Sequence, residues 1–288
     1  MRTHQDDSIL SRRDFLATTA ASAALVAMGT GCTKVKVARP KIPVGVQLYS
    51  VRADCAKDLP GTVAAVAKLG YEGVEFAGYY DYKAKDLRKI LDDNGLKCCG
   101  THTAMDTLSD QNLAATIEFN QVLGNKYLIV PSLNCEGPNP RDIWLGYAER
   151  FNVLADKVRA HGMWVGYHSH AGDFKAINGE MPWDLLFGNT KSDVVMQIDT
   201  GNTMDGGGDP IAYLKRYPGR SLTIHLKEHS ATNKNAIIGE GDIKWQEVFT
   251  LCETTGHTQW YIIEEEKDAY PPLKAVELCL QNYKKLRA

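Results

Sequence analysis

A chain of 288 residues with 33 basic and 35 acidic side chains carries a formal charge of −2, which excludes capture of a polyanion through bulk charge. Hydrophobic residues at 44 %, charged residues at 24 % and aromatics at 9 % are globular proportions and exclude a disordered, fibrous or integral-membrane chain. The length suits one α/β barrel of about 250 residues or two small domains.

Residues 11–32 read SRRDFLATTAASAALVAMGTGC. Arg12 and Arg13 precede an apolar stretch too short and too rich in Ala and Thr to span a bilayer comfortably. The segment resembles a twin-arginine export signal, with Ser11, Arg12, Arg13 and Phe15 on the matching positions. An amphipathic first helix is the competing reading, but the stretch lacks an alternating polar face and runs into small residues where a signal peptidase cuts. Gly29, Thr30 and Gly31 before Cys32 look like a degenerate lipobox, with Gly29 where an aliphatic residue is usual, so a lipid anchor at Cys32 stays open. The expectation is a signal peptide over 1–31 read by the twin-arginine machinery, a linker over 32–43 and one domain over 44–288. The protein is then periplasmic or exported. Removing residues 1–31 leaves 257 residues with the charge still at −2.

From Val44 onward, eight β-branched runs alternate with helical patterns: 44–50, 72–77, 97–102, 126–131, 164–170, 194–199, 222–227 and 260–265. Between and after them, apolar residues recur three and four apart over 59–69, 87–91, 113–123, 147–158, 183–187, 211–214, 245–252 and 273–280. Several strands are continuously apolar, as parallel strands covered on both faces are. Eight strand–helix units predict a single-domain (β/α)8 TIM barrel, with an open doubly wound sheet as the alternative. Against the open sheet, no G-x-G-x-x-G follows the first strand, and no Walker A loop or nucleophile elbow is present. The six cysteines after Cys32 fit neither a zinc ribbon nor a dense disulfide scaffold and read as buried thiols.

In such a barrel the chemistry sits at the C-terminal strand ends. Those ends carry Tyr49 and Arg52, Glu75, His102, His168 and His170, Asp199 and Asn202, His225 and Lys227, and the run Glu264, Glu265 and Glu266. Five of the eight histidines, counting His229, lie on or just past a strand end. Each alone reads as a satisfied structural side chain or a solvated charge, and Glu75 as a buttress for a neighbouring loop. Together, imidazoles and carboxylates on strands five to eight converge on one half of the rim. Clustered carboxylates repel one another unless a cation sits among them, so the pattern points toward a divalent metal, which the family resemblance below also implies. Mixed imidazole and carboxylate ligands disfavour Ca²⁺ and leave Mn, Co, Zn, Fe or Mg open.

On the segments VGVQLYSVR (44–52), GYEGVEFAG (70–78), GTHT (100–103), GYHSHAGDF (166–174), IDTGN (198–202), IHLKEH (224–229), IIGEGDIKW (237–245) and WYIIEEE (260–266), the chain resembles the xylose isomerase-like TIM barrels. This sugar phosphate isomerase/epimerase family also contains endonuclease IV-like proteins. The resemblance implies metal ligands at His168, Asp199, His225 and Glu264. It also implies catalytic roles for Glu264 and for His168 or His170. The departure is on strand five, where ketose epimerases carry a glutamate and this chain carries His168. His102, Asn202, Lys227 and Arg52 are candidates for binding substrate hydroxyls. Tyr49, Phe76, Tyr167, Phe174 and Trp245 are candidate stacking walls, with barrel packing favoured for Tyr167.

The resulting expectation is a metal-dependent carbohydrate isomerase or epimerase that abstracts a proton next to a carbonyl through an enediolate. The alternative is a lyase or dehydratase on keto-sugars or 3-keto-glycosides that shares this first step. A non-catalytic periplasmic sugar-binding protein is the reading from another class; tight sugar binding without turnover would mark it. Nucleic acid is not an expected partner, because an abasic-site endonuclease needs a basic DNA-facing surface that a charge of −2 does not suggest.

Overall fold

The computed structural model describes residues 41–135 and 137–288. The segment expected to be an export signal, Cys32 and most of the expected linker lie outside the described residues. Among the described residues no helix is long and apolar enough to cross a membrane.

The strands are β1 Val44–Gln47, β2 Gly73–Phe76, β3 Lys97–His102, β4 Tyr127–Val130, β5 Trp164–His168, β6 Val195–Gln197, β7 Thr223–Leu226 and β8 Trp260–Ile263. All pair in parallel in the order β6-β5-β4-β3-β2-β1-β8-β7. The ring is closed between β6 and β7 by a bridge from Asp199 to His225, with the His225 amide donating to the Ile198 carbonyl at 2.9 Å. This is the (β/α)8 barrel expected from the alternation, and the open sheet is excluded. Helices α1 Arg52–Lys57 and α2 Leu59–Leu69 follow β1, α3 Ala84–Asp93 follows β2, α4 Leu113–Leu123 follows β3 and α5 Pro140–Arg159 follows β4. Then come α6 Pro182–Phe187 after β5, α7 Thr200–Asp205 and α8 Pro210–Arg216 after β6, α9 Trp245–Thr254 after β7 and α10 Pro272–Arg287 after β8.

Two apolar layers fix where polar groups can go. The larger lies between barrel and helices, where Tyr167 of β5 packs against Trp144 and Phe151 of α5 and Trp183 of α6 at 5.9–6.4 Å between ring centroids. Tyr167, Phe76 and Phe174 are therefore core residues rather than stacking walls. The smaller cluster, Tyr127, Ile129 and Val195, packs with Trp164 and Trp260, the first residues of β5 and β8. It plugs the N-terminal end of the barrel, which leaves the last residues of the strands to form a polar layer at the other end.

One close approach shapes that layer. The pairing of β2 with β3 shifts register between Val74 and Glu75, so that Val74 faces Cys98 and Glu75 faces Gly100, with Cys99 as the extra residue. A Cβ on Gly100 would lie 2.3 Å from Glu75 Oε1. The absent side chain is the space the buried carboxylate occupies. Gly100→Ala is expected to cost about 1–3 kcal/mol through overpacking, read as a lower denaturant midpoint. The six described cysteines are free, as expected, and burial pushes the Cys55 thiol up to about 11 and Cys98 up to about 12.

Candidate metal centre and active site

Each cluster residue lies at or near a strand end and follows directly on a buried apolar residue: Tyr167, Ile198, Ile224 and Ile263. His168 ends β5, Asp199 follows β6, His225 lies within β7 and Glu264 follows β8. One ligand atom from each of the four lies within 4.8 Å of all the others. All four side chains are buried. Asp199 caps α7, its Oδ1 accepting the Asn202 amide at 2.7 Å. That leaves Asp199 Oδ2 buried without a hydrogen-bond partner, 3.8 Å from His225 Nδ1. A buried carboxylate oxygen in this condition is costly unless a cation meets it. Two imidazoles and two carboxylates, one with an unpartnered oxygen, suit a divalent cation of the Mn, Co, Fe or Zn type.

A second layer aims these ligands. Glu75, fully buried inside the barrel, accepts from Gln47 Nε2 at 2.7 Å, Gln197 Nε2 at 2.8 Å and His225 Nε2 at 2.6 Å. A carboxylate only accepts, so the Gln197 amide nitrogen must face it, which turns Gln197 Oε1 toward His168 Nδ1 at 3.1 Å. Both histidines are thereby held by one nitrogen with the other ring nitrogen turned into the cluster. His168 Nε2 lies 3.9 Å from Glu264 Oε2, and His225 Nδ1 lies 2.7 Å from the same oxygen. This is the carboxylate–histidine arrangement that fixes the tautomer of a metal-binding imidazole. Glu75 is thus not a loop buttress at the rim but a floor beneath the cluster. Gln47 and Gln197 were not among the sequence candidates, yet a glutamine inside an otherwise apolar strand had to find a partner.

The charges follow from this packing. Burial alone would lower the His225 pKa, but the Glu75 and Glu264 carboxylates overcome it and raise it to about 10. Burial would raise Glu264, yet the His225 and Lys227 charges hold it well below the usual carboxylate range. Asp199 is pushed up to about 7, by burial first and partly offset by Lys227. Burial and the neighbouring imidazoles hold His168 well below its ordinary value, which favours its neutral form. In the metal-free protein the His225 imidazolium stabilises the fold fully below about pH 6.5, and this contribution is lost as pH rises through about 10. A cation must displace that proton. Apparent metal affinity is therefore expected to rise about tenfold per pH unit between roughly pH 7 and 10, and more steeply below pH 7 where Asp199 also releases a proton. Calorimetric metal titrations at several pH values check this, and an affinity independent of pH would contradict it.

The cluster opens onto a cavity of about 800 Å³. His102, His168, His170, Asn202 and Glu264 all border it. His170 does not continue β5; it precedes a 3-10 turn over Ala171–Phe174, and its ring stands edge-on to His168 at 4.9 Å between centroids. Lys227 is buried beside the cluster and paired with Glu266, which itself borders the cavity. Arg52 and Trp245 do not border it. Arg52 lies over the Tyr49 ring at 4.1 Å and faces a separate cavity beside Glu265 and Lys267. Trp245 is buried and donates to Glu228 Oε2 at 2.9 Å, so it anchors the segment after β7 instead of stacking on a ligand. The choice between Glu264 and Glu265 is decided by direction: Glu265 turns away and accepts the Lys267 amide at 2.8 Å. Tyr79 and Phe119, which do border the cavity, were missed, because their loop and helix carry no local sign of facing the barrel mouth.

Known proteins resemble this chain in sequence and fold. Inosose dehydratase of Lacticaseibacillus casei is 28 % identical over 244 residues, which cover 72 % of this chain and 80 % of its own. A sugar phosphate isomerase/epimerase from Parabacteroides distasonis superposes with a TM-score of 0.73 at 24 % identity, over 85 % of this chain and 98 % of that one. The IOLI protein with a binding zinc atom superposes with a TM-score of 0.67 at 13 % identity, over 85 % and 98 %. The family described as Xylose isomerase-like TIM barrel matches residues 63–285, and the chain belongs to that family.

Proposed function

We propose that this protein is a metal-dependent carbohydrate enzyme, an isomerase or epimerase or a lyase sharing its first step, that removes a proton next to a substrate carbonyl. The observation that carries the reading is the convergence of His168, Asp199, His225 and Glu264 around an unpartnered Asp199 oxygen at one end of the cavity. The names of the relatives, an inosose dehydratase and a sugar phosphate isomerase/epimerase, and the zinc in the IOLI protein support it.

His168, Asp199, His225 and Glu264 would hold the cation, with Glu75 and Gln197 keeping the two imidazoles aimed. A divalent cation there polarises a carbonyl and stabilises the negative charge that develops when the neighbouring carbon loses its proton. Outside this set, His170 borders the cavity, and burial holds its imidazole below its ordinary value and so favours the neutral form; the ring nitrogen that accepts the Asp173 amide is the one that takes up that proton, giving up this bond. Asn202 and His102 border the same cavity and can position hydroxyls.

One feature favours elimination as the second half of the reaction. With an imidazole at position 168 in place of the glutamate of ketose epimerases, His170, once protonated, is placed to return its proton to a departing hydroxyl or alkoxide oxygen. The carbon–oxygen bond then breaks as the enediolate electrons form the double bond, and water or an alcohol leaves.

The test is metal-loaded full-length protein with ketoses, inososes and 3-keto-glycosides in deuterated water. Deuterium uptake next to the carbonyl is expected, and release of water or alcohol marks the lyase. No exchange with any of these substrates would overturn the reading.

A further inference from the structure

The cavity is amphiphilic. One end carries the metal cluster with His170, Asn202 and Glu266. The other is walled by Ala77 and Tyr79 after β2, Ala104 after β3, and Ala115 and Phe119 on α4. The Tyr79 and Phe119 rings lie 4.3 Å apart between centroids and tilted by 33°, giving one continuous aromatic wall.

Polar groups occur on this side too, and most are tied to the protein, while the exposed Asn112 gives one amide hydrogen to the Asp106 carbonyl at 3.2 Å. Thr107 Oγ1 donates to the Ala104 carbonyl at 2.7 Å and Thr116 Oγ1 to the Thr107 carbonyl at 2.7 Å. Asn120 donates to the Thr116 carbonyl at 2.9 Å and accepts from Asn125 Nδ2 at 2.9 Å and the Tyr79 hydroxyl at 3.4 Å. A second sugar ring placed here would bury hydroxyls against a wall with few donors left, at a cost for each unmet hydrogen bond. A planar hydrocarbon group would lose nothing and would bury its own apolar surface. The size agrees. At about 800 Å³ the cavity stands near the upper end of the roughly 300–1,000 Å³ range of small-molecule sites, more room than a lone six-carbon sugar fills.

We infer that the Tyr79–Phe119 wall is a subsite for an apolar, planar substituent on the sugar, so that the substrate class is a glycoside or ether-linked sugar with an aromatic group. The inference rests on the carbohydrate reading above for the occupant of the metal end, and the wall adds the class of the attached group.

The test measures binding without turnover. Full-length, metal-loaded protein is titrated with phenyl β-glucoside, methyl β-glucoside and cellobiose by calorimetry. Phenyl glucoside is expected to bind at least about tenfold more tightly than methyl glucoside, a difference of about 1.4 kcal/mol. Ala115 is exposed on α4, so Ala115→Trp fills the subsite with little effect on packing, and it should reduce phenyl glucoside to the methyl glucoside level. Ala115→Asp, which leaves the space but sets a carboxylate against the wall, should do the same. Equal affinity for the two glucosides, tighter binding of cellobiose, or indifference to both substitutions overturns the inference. Exchange of small keto-sugars in deuterated water is scored separately: its absence sinks the proposed reaction and leaves the apolar subsite standing, whereas exchange with no phenyl preference sinks the subsite alone.

Discussion

His170→Ala is expected to lower kcat by about 10²–10⁴-fold while leaving the bound metal in place. The ring caps the turn by accepting the Asp173 amide, but two backbone bonds remain without it: the His170 amide donates to Asp173 Oδ2 at 2.7 Å and the Asp173 amide to the His170 carbonyl at 3.0 Å. The variant therefore removes the proton-transferring group and one cap of the turn, and His170→Asn, which keeps a cap acceptor without a base, separates the two effects. In the parent protein kcat/KM should fall on acidification, and only below the ordinary imidazole range, because burial holds the imidazole below its usual value and the base is lost when it protonates. Steady-state rates with metal analysis of the same samples check both halves. Metal loss in the variant would place His170 among the ligands, and unchanged kcat would remove it from the chemistry.

The second large effect is expected at Glu75, which touches no solvent and accepts from two glutamines and His225. Burial would raise its carboxyl, but His102 and His225 beside it hold it below the usual range. Glu75→Ala leaves the His225 imidazolium and two amides without their acceptor, at a cost of about 3–5 kcal/mol in the metal-free protein. Glu75→Gln keeps the volume but is a poorer acceptor for His225 Nε2, so metal affinity should fall by about 10–100-fold while the fold persists. Thermal unfolding and chelator competition separate the two variants. Unaltered metal affinity in Glu75→Gln would show that Glu75 serves packing alone.

The barrel was legible because each strand is a short β-branched run and each helix an apolar stripe, so local period and global repeat agree. The four cluster residues were legible for a related reason: an ionisable group closing a buried apolar strand has few places to point except the mouth. Strand period alone does not say which of two faces lines a barrel, and that is why Glu75 read as a rim residue while Gln47 and Gln197 went unread. Trp245, Tyr79 and Phe119 depend on the paths of chain segments outside the strands. Trp245 is turned inward by Glu228, a residue two positions past β7 that also accepts the Gly239 amide at 2.7 Å. Such long-range side-chain anchors leave no periodic trace.

The central claim is that His168, Asp199, His225 and Glu264 hold one divalent cation. Elemental analysis of the full-length protein after loading with Mn, Co, Fe or Zn and removal of excess metal tests it most directly. About one cation per chain is expected in the parent, and loss of it in both Asp199→Ala and His225→Ala, with circular dichroism confirming that the variants remain folded. Retention of the cation by folded forms of both variants, or none in the loaded parent, would contradict it.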